Sequence, residues 1–237
     1  MQSFLGNSQI ANGNLKLNYW EARYRGGDSS GQGSIGAARE WKWQIIHSYV
    51  ENIDEVIDVG CGDLSFWEDK DCPSYLGLDV SPTIIQRNMH KRPHWEFLVS
   101  KAEDKIPGRT ARIVFCFDLL FHVMTDDTYY QILENLCAYA REWIFISTWS
   151  KNPFGLLRFG HSYHLLMSGY LGGAFRMLFL PRISSDRQYQ RYRKFNPSIF
   201  IANRFRPLGR HLAERSISEI WVFRKQNDLE LNAADET

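Results

Sequence analysis

Cysteine is scarce and scattered. The 237 residues include four, Cys61, Cys72, Cys116 and Cys137, and no two stand in a C-x-x-C pair. That spacing excludes a structural zinc site or a disulfide framework and fits a reducing compartment. No excess of either charge exists: 28 Lys and Arg face 27 Asp and Glu, for a net charge of +1. A surface built throughout for a polyanion is therefore excluded, which argues against nucleic acid as a partner. Long apolar runs are missing too. The most membrane-like stretch, Pro153 to Pro181, is broken by Arg158, His161, His164 and Arg176, where a spanning helix needs about 20 apolar residues. The opening MQSFLGNSQIANGNLKLNYW lacks the basic start and apolar run of a secretory signal. No repeat and no His/Asp/Glu ligand cluster is present, so metal independence is expected. These absences together predict a soluble, cytoplasmic protein.

What is there is ordinary globular material: 44% hydrophobic, 14% aromatic and 23% charged residues, enough to enclose a sizeable core. After an Asn-rich lead-in comes YWEARYRGGDSSGQGSIG, a Gly/Ser-rich loop, then the helical pattern AAREWKWQIIHSYVEN with Ser34 as its expected N-cap. From Glu55 onward short apolar runs alternate with helical stretches. EVIDV, YLGLDV, WEFLV, RIVFCF and WIFIST read as strands; Leu64 to Lys70, Pro82 to His90 and Asp126 to Tyr139 read as helices. RHLAE and EIWVFRK are expected to pair as a closing antiparallel hairpin. The expected fold is α/β: a Rossmann-like, mostly parallel seven-stranded sheet with helices on both faces and a helical insertion before the hairpin. Residues 1–150 would hold a lid segment and the core, 151–207 the insertion, and 208–237 the hairpin and an acidic tail.

The sharpest local feature is VIDVGCGD, residues 56–63. A buried strand ends in an acid, turns on two glycines and leaves backbone N–H groups open to a ligand. A sharp turn without a ligand is the bland alternative. Asp79 follows at the end of the second strand, where a carboxylate can accept both hydroxyls of a ribose. Asp58 precedes the first glycine, and the third glycine of a dinucleotide fingerprint is absent. An acid at that turn repels a pyrophosphate and attracts an ammonium and a sulfonium, which disfavours a nucleotide-sugar oxidoreductase.

At these residues the chain resembles the class I S-adenosyl-L-methionine-dependent methyltransferases. VIDVGCGD is similar to their first motif, YLGLDVS to their second, SKAEDKIP to their adenine-facing loop and FCFDLLFHV to the segment after strand four. The N-terminal YWEARYRGGDSSGQGSIG resembles a loop of bacterial-type members associated with glycans and small metabolites. The resemblance implies that Asp58, Gly60 and Gly62 hold the methionine end. Asp79 would bind the ribose, and Val80 would flank the adenine. Ala102 and Glu103 would meet the adenine edge, and Asp118 would lie beside the methionine moiety. Two residues depart from the family pattern: Leu64 occupies its usual third glycine position, and Lys101 replaces its common acidic partner of the adenine amino group.

His122 lies four residues after Asp118, beyond the fourth strand, and is suited to remove a proton from an acceptor. The alternative is a histidine that only packs there. The loop from Gly26 to Gly36 is either a plain linker or a lid bringing Tyr24 and Ser34 to the cofactor.

Charge is unevenly distributed. Residues 1–150 carry 14 basic and 20 acidic side chains, and residues 151–215 carry 12 and 2. Arg191, Arg193 and Lys194, interleaved with Tyr192 and Phe195, have three readings. They face solvent, they form a pocket for an anionic small or glycan-like acceptor, or they dock to a polyanionic surface. That last reading includes a peripheral membrane contact through the 154–180 stretch. The function expected is O-methylation of a small or glycan-like acceptor. A non-catalytic S-adenosyl-L-methionine-binding module that recruits a partner is the rival, and a methyltransferase acting on lipid or RNA is a further one.

Overall fold

The structure, a computed structural model, describes residues 19–151, 191–214 and 216–226. Five parallel strands come first: β1 (Glu55–Val59), β2 (Ser74–Asp79), β3 (Glu96–Val99), β4 (Ala111–Cys116) and β5 (Ala140–Trp149). β6 (Phe205–Leu212) and β7 (Ser218–Lys225) close the sheet. The strand order is β3-β2-β1-β4-β5-β7-β6, with β7 antiparallel to both its neighbours. This is the Rossmann-like sheet expected from the sequence.

The interior strands are apolar on both faces because both faces are covered. On one side Ile57, Val59 and Val114 pack against Ile132, Leu133 and Leu136 of α3 (Asp126–Tyr139) and Phe200 of α4 (Ser198–Ala202). On the other, Val56, Ile113 and Phe115 pack against Trp43, Ile45 and Ile46 of α1 (Gly36–Tyr49) and Ile85 of α2 (Pro82–Lys91). Two helices begin at residues that fix their first turn. The Ser81 side chain accepts from the Ile84 N–H with Pro82 at the first helical position, and Thr125 accepts from the Thr128 N–H ahead of two aspartates.

Three expectations change. α1 is entered from extended Ile35 without a side-chain cap; Ser34 ends a separate short turn, Gln32–Ser34. The helix expected over Leu64 to Lys70 is one 3-10 turn, Ser65–Trp67. Its carbonyls are drawn elsewhere: Phe66 O accepts from Arg39 Nε and Trp43 Nε1, both at 3.0 Å, and Arg92 donates to the carbonyls of Trp67, Glu68 and Lys70. Side chains replace the helical ladder. β6 starts at Phe205, five residues ahead of the expected Arg210, with Pro207 tolerated at a register shift on the sheet edge. The expected helical insertion, the 154–180 stretch, the Asn-rich lead-in and the acidic tail lie outside the described residues.

β2 lies on one side of β1 and β4 on the other. The chain thus reverses direction across the sheet at the β1/β4 boundary, where α/β sheets open a crevice at their carboxyl ends.

Candidate functional site

The crevice is built around the turn after β1. Gly60 and Gly62 adopt positive φ, +82° and +56°, a region costly for residues with a Cβ. The N–H groups of Gly60 and Cys61 both donate to Leu78 O, at 2.8 and 3.0 Å, folding the turn over the end of β2. A Cβ on Gly62 would overlap Ser30 Oγ. Leu64 also has positive φ, +61°, yet is almost fully buried. Burying a leucine is worth about 1.5–3 kcal/mol, enough to offset a left-handed penalty of about 1–2 kcal/mol.

Asp79 closes β2 beside this turn. Its Oδ2 accepts from the Gly62 N–H at 3.1 Å and its Oδ1 from the Ser81 N–H at 2.9 Å. Burial pushes its carboxyl up to about 6, against the backbone N–H groups of Ser81 and Gly62, which favour the ionised form.

A cleft of about 670 Å³ opens here. Gly60, Gly62, Asp79 and Val80 form one wall; Ala102, Asp118 and His122 form another; Tyr24 and Ser34 reach it from the N-terminal loop. An adjoining apolar hollow of about 490 Å³ is lined by Val80, Ala102, Glu103 and Ile132, with Trp20 and His122 shared between the two. Nine of the ten residues expected at the cofactor, all but Asp58, are thus brought to one place.

Asp58 is not. The strand's alternation turns it to the face opposite Val59, where it is 4% exposed and accepts at Oδ2 from Trp67 Nε1 (2.8 Å) and Tyr75 OH (2.9 Å). Burial raises its carboxyl to about 6 against those two donors and Lys42. Arg193 is also taken up elsewhere. It pairs with Asp126 Oδ1 at 2.9 Å, reaches Thr125 O and lies 4.3 Å over the Tyr129 ring, fastening its segment to the start of α3. Arg191 donates from its main chain to Phe121 O at 2.6 Å and from its guanidinium to Met124 O, which sets it beside the His122 turn. Lys194 is exposed on the surface and not among the cleft residues.

The N-terminal loop is docked rather than trailing. Residues 19–25 are helical, and Glu21 accepts from Ser81 Oγ and Thr83 Oγ1, each at 2.6 Å, and from the Thr83 N–H. Burial opposes the ionised form of Glu21, but these donors and Arg25 prevail and hold it down to about 2. Trp20 stacks on Tyr24 with ring centroids 5.7 Å apart and meets His122 edge-on at 5.1 Å.

Two groups of this site escaped the sequence reading. Ser30 packs on the glycine turn, and Lys42 is a buried cation, 2% exposed, whose Nζ lies 2.5 Å from Asp118 Oδ2. Asp118 in turn accepts from Ser147 Oγ at 2.8 Å and donates its N–H to the same oxygen at 2.7 Å. Burial raises the Asp118 carboxyl, but Lys42, Ser147 and His122 outweigh it and leave it below the usual range. Lys42 stands three and four residues before Ile45 and Ile46, on the apolar face of its helix, and that position was its one signal.

Among the described residues no group of His, Cys, Asp and Glu is arranged to hold a metal ion, and no helix is long and apolar enough to cross a membrane.

No protein-family model matches the sequence, and no curated protein matches it. Solved structures do match the fold. Magnesium protoporphyrin IX methyltransferase (ChlM) from Synechocystis, solved with bound S-adenosylhomocysteine, is 16% identical. That match covers 91% of this chain and 100% of the other at a TM-score of 0.60. The N-methyltransferase NodS from Bradyrhizobium japonicum, also with S-adenosylhomocysteine, is 10% identical over 80% of this chain and 88% of its own, with a TM-score of 0.56. The 1,6-didemethyltoxoflavin-N1-methyltransferase from Burkholderia thailandensis is 15% identical over 94% and 90%, again at 0.56. The chain has the fold of the class I S-adenosyl-L-methionine-dependent methyltransferases.

Proposed function

We propose that this chain is a methyltransferase that uses S-adenosyl-L-methionine and methylates an oxygen of a small or glycan-like acceptor. The observation that carries the reading is Asp79: a buried carboxylate in the cleft, at the sheet's reversal point, directly against a positive-φ glycine turn. The residues present fit the donor. Asp79 supplies paired acceptors for a ribose diol, the hollow between Val80, Ala102 and Ile132 supplies apolar walls for a flat base, and the Gly60–Gly62 backbone leaves room for the amino-acid end.

When bound, the donor supplies an electrophilic methyl group on a sulfonium. The protein's own part is positioning, exclusion of water and proton removal. Trp20, Tyr24 and Ser30 cover the cleft from the N-terminal side. His122 lies where the walls of the two hollows meet, close enough to Asp118 for the two charges to interact. Such a histidine can take the proton of an acceptor hydroxyl, and an ionised Asp118 nearby favours the imidazolium that results. For an anionic acceptor the cation proposed is Arg191, which does not line the cleft but is held beside the His122 turn.

The test has two arms. Calorimetric titration with S-adenosylhomocysteine should show one-site binding. Acceptor pools incubated with isotopically labelled donor should then yield labelled product, and mass spectrometry should locate the label on oxygen. His122→Gln should lower turnover by about 10²–10⁴-fold with little change in donor affinity. Donor binding with no labelled product from any pool would favour the non-catalytic module instead. A label on nitrogen or carbon would overturn the choice of atom.

A further inference from the structure

A lysine buried to 2% exposure must find its counter-charge in the interior, and Lys42 finds more than that. Its Nζ reaches Asp118 Oδ2 at 2.5 Å, donates to Gly33 O at 2.8 Å and lies 5.2 Å from the Phe117 ring centroid. Gly33 belongs to the N-terminal loop and approaches Asp118 so closely that a Cβ there would overlap the carboxylate. Asp118 itself is fixed. It has positive φ, +55°, and both its N–H and its Oδ1 are engaged by Ser147 Oγ on β5. One ammonium thus ties a loop over the cleft to a carboxylate in the cleft wall, across α1 and β4.

We propose that Lys42 is a positioning residue that holds the loop of residues 26–36 closed over Asp118 and thereby strengthens binding of the methyl donor. The proposal rests on the methyl-donor reading only for the identity of the ligand; the loop contact stands without it. Lys42 does not line the cleft, so it acts through Gly33 and Asp118 rather than on the ligand. The charged and titratable groups around the pair are Asp58 of β1, which faces Lys42, and Cys116 and His122, which face Asp118. Of these only His122 can become cationic, and the ammonium from α1 is the group that donates to Gly33 O.

A purely structural lysine would change stability and nothing more. Lys42→Met keeps the apolar stem and removes the ammonium, leaving Asp118 without its cation and Gly33 O without its donor. The double variant Lys42→Met/Asp118→Asn removes the stranded charge as well, so it should fold where the single variant falters. Melting temperature, tryptic cleavage after Arg25, at the bond that opens the loop, and calorimetric affinity for S-adenosylhomocysteine would be measured for both, beside wild type. Both variants should be cut faster after Arg25 and bind the ligand about tenfold or more weakly, although the double variant recovers melting temperature. Wild-type cleavage rates and affinity in either folded variant would overturn the proposal. If wild type itself binds no S-adenosylhomocysteine, the donor reading fails, while the cleavage measurements still decide the role of Lys42.

Discussion

Ser30 and Asp63 exchange hydrogen bonds: the Ser30 N–H donates to Asp63 Oδ2 at 2.9 Å, and the Asp63 N–H donates to Ser30 Oγ at 2.8 Å. The other oxygen of Asp63 accepts from the Ser65 N–H at 3.0 Å. Burial raises the Asp63 carboxyl, but the Ser30 and Ser65 groups prevail and lower it. Loop and glycine turn are therefore joined 33 residues apart in sequence, with Tyr24 OH adding a contact to Ser30 Oγ at 3.2 Å. The Gly/Ser loop forms part of the cleft wall.

Gly62→Ala tests that joint. The added methyl would overlap Ser30 Oγ at a residue with φ of +56°. Donor-side affinity should fall about tenfold as the loop is pushed off, and the left-handed backbone should cost about 1–2 kcal/mol of stability. Gly108→Ala is the control: it has φ of +71° but open space around its Cβ. It should lower the melting temperature without weakening S-adenosylhomocysteine binding. Equal affinity losses in both variants would show that backbone strain, not the loop contact, is responsible.

Asp79→Ala should weaken S-adenosylhomocysteine binding by roughly ten- to several-hundred-fold. A hydrogen bond to a charged group is worth about 1.5–3 kcal/mol, and each factor of ten in affinity is about 1.4 kcal/mol. Calorimetry on a variant with a wild-type far-ultraviolet spectrum is the check. Unchanged affinity would remove Asp79 from the site.

The same carboxyl sets a pH signature. Burial holds Asp79 near 6, so close to that pH a sizeable fraction is protonated before ligand arrives. Ligand hydroxyls donate to the carboxylate form and therefore lower its pKa, so binding near pH 6 releases protons. At higher pH the group is already ionised and no proton is released. Affinity should accordingly drop as pH falls below about 6. Titrations in buffers of different ionisation enthalpy should give different apparent heats near pH 6 and equal ones at high pH. Asp79→Asn should abolish the difference. For stability the sign is reversed from that of a salt-bridged acid. Asp79 and Asp58 bind protons more tightly folded than unfolded, so both make folding less favourable as pH rises from about 4 to 6.

Sequence and structure agree where the physics is local. β1 and α3 begin and end where their patterns do, because buried strands read as unbroken apolar runs and Thr125-Asp126-Asp127 marks a helix start. The Gly60–Gly62 turn and Asp79 were readable from their spacing. Glu21, Ser30 and Lys42 were not, since each finds its partner 33 to 76 residues away. The helix expected after Leu64 failed for a related reason: Arg39, Trp43 and Arg92 come from other elements to take its carbonyls.

Asp58 offers the sharpest division between the two levels. Family resemblance places it at the methionine end, whereas the strand's two-residue alternation sends it away from the face that carries Val59 into the cleft. Both its hydrogen bonds, from Trp67 and Tyr75, converge on one oxygen. An asparagine can present its carbonyl oxygen there and keep both donors while removing a buried charge. Asp58→Asn should therefore fold, should melt at or above the wild-type temperature at pH values above about 6, where the aspartate would be ionised, and should bind S-adenosylhomocysteine within about threefold of wild type. Tryptophan fluorescence should report an intact Trp67 environment. Asp79→Asn, by contrast, keeps only one accepting oxygen in the cleft and should bind more than about tenfold more weakly. A loss at position 58 as large as that at 79 would return Asp58 to the donor site and show that its carboxylate acts on the ligand through the turn it precedes.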